Sequence, residues 1–173
     1  MGKKVIRVSL NTKDINTAIR ELEKYKQEFQ RKVDTYRRRI AEEVAISASL
    51  NFNSAEMEDV IKGTPRKPNV TVHVDERGNI AVVIADGEDA VWCEFGAGVY
   101  HNGSVGSSPH PSGQELGFTI GSYGKGYGKG KAWGYYEDGQ LIITRGTPAS
   151  MPMYNAAQEV TRKAIVIARE VFG

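Results

Sequence analysis

Between Asn11 and Phe52, apolar side chains recur at Ile15, Ile19, Leu22, Tyr25, Phe29, Val33, Tyr36, Ile40 and Val44, at spacings of 4, 3, 3, 4, 4, 3, 4 and 4. That is one stripe on a helix of period near 3.6, and neither Gly nor Pro interrupts it. The spacing predicts a helix over about 12–52, with Thr12 or Asp14 as its N-cap. At ~1.5 Å per residue such a helix runs nearly 60 Å. A compact domain of this length has a radius of gyration of only roughly 15 Å. Part of the helix must therefore break, or project and find a partner.

The rest of the chain reads as shorter elements. Asn51-Phe-Asn-Ser54 is a stop, and Gly63-Thr-Pro-Arg-Lys-Pro68 is a loop. Val70, Val72 and Val74 alternate with polar residues, Asp75-Glu-Arg-Gly-Asn79 turns, and Ile80–Ala85 returns, which gives a β-hairpin over about 69–86. Val91–Phe95 is a short helix or a bent strand end. Residues 96–134 hold 12 of the 19 glycines, so about 96–131 reads as an inserted loop too glycine-rich to pack on its own. Ala132–Tyr136 and Leu141–Thr144, joined through Asp138-Gly139, form a second hairpin over about 132–145. Pro152 opens a last amphipathic helix over about 152–172. The order predicts a single α+β domain over 1–173, with both helices packed on one antiparallel sheet made of the two hairpins.

Composition narrows the function classes. The chain has 173 residues, 40% hydrophobic and 25% charged, which fits a globular protein and excludes wholesale disorder. The net charge of +2 argues for neither nucleic acid nor a membrane surface. It is unevenly spread: +5 over residues 1–50, −5 over 51–100 and +2 beyond. Basic and acidic segments of this kind can pair within one copy or between copies. No run approaches the ~18 apolar residues of a membrane span, and the N-terminus does not read as a signal peptide. Synthesis in a host cytoplasm is expected.

The single cysteine, Cys93, with His101 or His110 as base would suggest a thiol hydrolase. Its setting between Trp92 and Glu94 favours a buried structural thiol instead. His101, His110, Glu94 and Glu115 lack metal-site spacing, and the histidines read as solvent-exposed loop residues. Gly124–Gly130 does not match the phosphate-binding loop, because Lys131 is followed by Ala132. Tyr123, Lys125, Tyr127, Lys129 and Lys131 alternate stacking and cationic groups, and with Arg37, Arg38 and Arg39 they make a nucleic-acid-binding module the alternative reading. On a helix the three arginines read first as a solvated face. No cofactor, metal or catalytic residue is expected.

Two segments carry a resemblance. Trp92-Cys-Glu-Phe-Gly-Ala-Gly98 resembles the Glu-Phe-Gly-Thr-Gly signature of the head–tail connector, neck or tail-completion proteins of long-tailed double-stranded DNA bacteriophages. Thr147-Pro-Ala-Ser-Met-Pro-Met-Tyr-Asn-Ala156 is similar to that family's second signature, Pro-Ala followed by Pro-Phe-Met and a closing helix. The order of elements is similar as well, with Ala97, Met153 and the long glycine insertion as departures. The resemblance implies a non-enzymatic virion part at the head–tail junction that forms a homo-oligomeric ring. Its implied partners are further copies, neighbouring neck and tail proteins, and non-specifically the DNA in the channel. The motif residues are then architectural. Phe95 anchors the core, Gly96 and Gly98 permit positive φ, and Glu94 pairs with a basic side chain. Pro148 and Pro152 fix the entry angle of the last helix, with Ala149 and Met153 as the other structural residues of the motif.

Overall fold

The computed structural model describes residues 5–6, 9, 11–59, 64–98, 108–113, 115–116, 133–144 and 146–173. The fold is α+β, with a long N-terminal helix, a C-terminal helix and antiparallel hairpins.

Helix α1, Thr12–Ser54, is unbroken over 43 residues, about 64 Å. Its cap is Asn11 rather than Thr12 or Asp14: the Asn11 side chain accepts the Asp14 amide at 2.9 Å. Asp14 instead lies in the first turn, where its charge suits the helix N-terminus. The Asn51–Ser54 stop holds, because Ala55 turns extended and its N–H closes on the Asn51 and Phe52 carbonyls.

Strands β1, Met57–Asp59, and β2, Thr64–Arg66, pair antiparallel with Met57 opposite Arg66. Strand β2 thus departs from the loop expected over residues 63–68, since a three-residue strand containing Pro65 has no local signal. Tertiary anchors hold both strands: Met57 is buried in the core, and Arg66 is clamped on Asp89. Strands β3, Thr71–Arg77, and β4, Ile80–Asp86, form the first expected hairpin across Gly78-Asn79.

Helix α2, Ala90–Phe95, resolves the short element as a helix. It leads into β5, Ala97–Gly98, which pairs with β8, Gly146–Thr147. Strands β6, Trp133–Glu137, and β7, Gln140–Thr144, form the other expected hairpin. Asp138 and Gly139 have φ of 49° and 78°, the two left-handed residues of a type I′ turn. The expectation of one sheet fails: each described ladder is two-stranded, and the two hairpins are not hydrogen-bonded to each other. Each finds its partner locally, so nothing in the ladders themselves requires a merger.

Helix α3, Pro152–Phe172, lies antiparallel on the C-terminal part of α1. The contact runs from Asn51, whose side chain donates to the Pro152 carbonyl, to Phe172, whose ring sits 6.0 Å from that of Phe29. Between these ends Ser47 donates to Glu159, and Arg39 bonds Glu170 at 2.7 Å. The hairpin β3–β4 packs on α1 beside α3. Phe52, Met57, Ala90 and Cys93 form the core where these elements meet, and Val70, Val72 and Met153 close over it.

The long helix therefore projects. Beyond Phe29 no part of α3 continues, and Ile15, Ile19, Leu22 and Tyr25 stand 40 to 56% exposed.

Candidate functional site

The two motif segments, separated in sequence by the glycine-rich stretch, fold into one junction. Gly96 ends α2 with φ 77°, a conformation that L side chains avoid. A Cβ placed there would lie 2.9 Å from the Ala149 nitrogen. Only glycine lets the two motifs approach so closely. Gly98 lies in β5 opposite Gly146, and it is Gly146 that takes a φ of 90° at that pair. The Cys93 carbonyl accepts the Ser150 and Met151 amides at 2.9 and 3.2 Å, which ties α2 to the turn before α3.

Helix α3 begins without a cap of its own. Met151 at the N-cap has left-handed φ and ψ of 52° and 49° and makes no capping hydrogen bond. Pro152 at the first helical position has no N–H to satisfy. The remaining amides are met by Glu94: Oε2 accepts Met153 N–H at 2.8 Å, and Oε1 accepts Tyr154 N–H at 2.9 Å. A carboxylate at a helix N-terminus also complements the helix dipole. Glu94 is thus a cap delivered from a distant part of the chain.

His110 completes the arrangement. Its Nδ1 accepts the Ser112 amide at 3.0 Å, so the ring proton sits on Nε2, which donates to Glu94 Oε1 at 3.1 Å. The ring lies between Phe95, tilted with centroids 4.5 Å apart, and Tyr154, edge-on at 5.3 Å. Ser108 donates its hydroxyl to the Phe95 carbonyl. These contacts overturn two expectations. His110 is buried rather than solvent-exposed, and Glu94 takes helix amides and an imidazole rather than a Lys or Arg. The segment 108–113 packs although it belongs to the glycine-rich stretch, because its polar atoms find partners on α2.

The other expected residues are placed as follows. Phe95 is half-buried against His110, Pro152 is fully buried, Met153 lies against the core, Ala149 is half-buried and Pro148 is exposed. Cys93 is 1% exposed, and burial pushes its thiol up to about 11. Both nitrogens of His110 are taken by Glu94 and Ser112, so the ring is not oriented on Cys93 as a base. Among the described residues no cluster of His, Cys, Asp or Glu could hold a metal. No described helix is long and apolar enough to cross a membrane.

The arginine triplet does not face one way. Arg37 is half-buried and pairs with Asp34 at 3.2 Å, Arg39 pairs with Glu170, and Arg38 is exposed. Arg37 thereby departs from the solvated face expected of it. His101, Tyr123, Lys125, Tyr127, Lys129 and Lys131 lie outside the described residues, and Glu115 is exposed.

Sequence reasoning missed the capping role of Glu94 and the burial of His110. One signal for the first was available: Met151 cannot cap the helix that Pro152 opens, so the cap had to come from elsewhere. What the junction offers is rigidity. Every side-chain polar atom of Glu94 and His110 is engaged, and the pair ties together α2, the segment 108–113 and α3. Comparison with protein-family models, curated proteins and solved structures finds no match.

Proposed function

We propose that the protein is a structural subunit of the head–tail junction of a long-tailed double-stranded DNA phage or prophage, a ring-forming neck or tail-completion part of the virion. The observation that carries this reading is the junction itself. The two segments that resemble the family's signatures are the ones that lock together, Glu94 capping the helix that Pro152 opens and Gly96 packing on Ala149. Their engaged side chains fit an architectural task better than a reactive one.

The physics of such a part is shape. A subunit in a ring around a channel must hold its elements at fixed angles while presenting surface to its neighbours. The junction supplies the first. The β6–β7 hairpin, where Tyr136, Leu141 and Ile143 are exposed, supplies the second. Its neighbours would be further copies and adjoining neck and tail proteins.

The test is deletion of the gene in a producing lysogen, with lysates inspected by electron microscopy. Filled heads and free tails that fail to join are expected, and complementation restores joined particles. Normal joined virions from the deletion strain would refute the assignment.

A further inference from the structure

The exposed stripe at the N-terminal end of α1 continues along the same helix as the floor of a groove. The groove has a volume of about 590 Å³. Its floor is Val33, Arg37, Ile40 and Val44, and its walls come from β4, through Ala81 and Val83, and from α3, through Val160 and Ala164. Beside it, from about residue 28 back to Thr12, Ile15, Ile19 and Leu22 of the stripe stand exposed. The two halves divide where α3 ends, with Phe172 on Phe29.

One copy cannot fill its own groove with its own stripe, because an unbroken helix keeps the two roughly 30 Å apart along one axis. A second copy can fill it. We propose that two copies pair with their α1 helices antiparallel, each laying its residues 12–28 into the groove of the other about a two-fold axis beside Gln30.

Three observations select this occupant and this direction. Arg37 is only 21% exposed, and its Nε is buried without a hydrogen-bond partner among the described residues, so the groove wants an acceptor. The antiparallel register that sets exposed Glu23 against Arg37 also sets Lys26 against Asp34, matching opposite charges at both positions. A parallel pair would set Glu23 on Glu23 and Arg37 on Arg37.

The same register sets Ile19 beside Ala41, which lines the groove, a large side chain against a small one, as close packing between helices requires. From Ile15 to Val44 the shared face is about 45 Å long and 10 Å wide. The walls from β4 and α3 add to it, which brings the contact toward the ~800 Å² per partner of a specific pair.

The contact is closed, since both stripes and both grooves are used. A ring built from such pairs would join through other faces, and the pairing stands on the geometry of α1 rather than on the neck assignment.

The test uses the full chain. Light scattering after gel filtration is expected to give a dimer. Leu22→Asp, on the exposed stripe, is expected to weaken it by roughly tenfold or more. Glu23→Arg and Arg37→Glu should each yield monomers, and the double variant should restore the dimer. Circular dichroism monitors folding in every case. Spin labels at Gln30→Cys should lie within about 20 Å of each other, and at Lys13→Cys about 50 Å apart. A monomeric wild type, a short distance at position 13, or a dimer indifferent to Leu22→Asp and to the charge swap overturns the pairing. Each of these leaves the virion-joining assay free to succeed or fail separately.

Discussion

The Glu94 carboxylate accepts the Tyr154 amide at 2.9 Å across a sequence separation of 60 residues, and it does so as the N-cap of a helix whose own cap position is Met151. Capping is ordinarily local, supplied within three residues by Ser, Thr, Asp or Asn. Here the chain has moved the acceptor to another helix, so that capping and docking become a single interaction.

Glu94→Ala would strand three donors at once, the Met153 and Tyr154 amides and His110 Nε2–H. The expected loss is about 3 to 4 kcal/mol. Glu94→Gln keeps one acceptor oxygen and the side-chain shape, so it should cost about half as much. Urea unfolding of the three proteins measures the order. An alanine variant within about 1 kcal/mol of wild type would show that the cap contributes little.

Gly96 and Gly78 both take positive φ, 77° and 57°, but only Gly96 has backbone in the way of a side chain. Gly78→Ala should therefore cost about 1 kcal/mol, the strain of a left-handed residue in an open turn. Gly96→Ala adds the collision with Ala149 and should cost about 3 kcal/mol. Equal losses in denaturant titrations would mean that the junction yields to admit a methyl group.

How much of this was legible in the sequence depends on the range of the forces involved. The 3.6-residue stripe reported α1 because Ile15 through Val44 lie on one face of one element, and the C-terminal helix and both hairpins followed from equally local patterns. The β1–β2 ladder was not legible, because what holds it is Met57 in the core and Arg66 on Asp89, neither visible within a six-residue window. His110 was misread for the same reason. A histidine in a glycine- and proline-rich stretch has no local motive for burial, and Phe95, Tyr154 and Glu94 provide one only after the chain has folded. The motif glycine was read correctly at Gly96, since the need for positive φ is a property of one residue.

Asp89 gives the fold a pH dependence of defined sign. Its carboxylate takes both guanidinium nitrogens of Arg66, at 2.6 and 2.8 Å, and the Asn69 amide at 2.8 Å. The Arg66 hydrogen bonds hold it below its ordinary 3.8, against the opposing effect of burial. A carboxylate depressed on folding stabilises the native state fully above its unfolded value and loses that contribution as the pH falls through the folded one. Asp89→Asn should lower stability near neutral pH by about 2 kcal/mol, and the gap to wild type should narrow as the pH drops below 3.8. A gap that stays constant down to acid unfolding would separate Asp89 from the effect.

Cys93 reports on the same core without perturbing it. Desolvation is the main reason its thiol is pushed up to about 11, with the charge of Asp89 adding to it. Iodoacetamide attacks the thiolate, whose population at pH 8 is then roughly a hundredfold or more below that of an ordinary cysteine, before burial further slows access. Native protein should therefore be alkylated slowly, at a rate set by opening of the contacts between α2 and Phe52, Met57 and Met153. Urea should bring modification to completion within the dead time of the native reaction. Because Glu94 follows Cys93 on α2 and caps α3, Glu94→Ala should accelerate native-state labelling in proportion to the stability it removes. Rapid labelling of the wild type, or a rate indifferent to Glu94→Ala, would show that α2 opens independently of the junction.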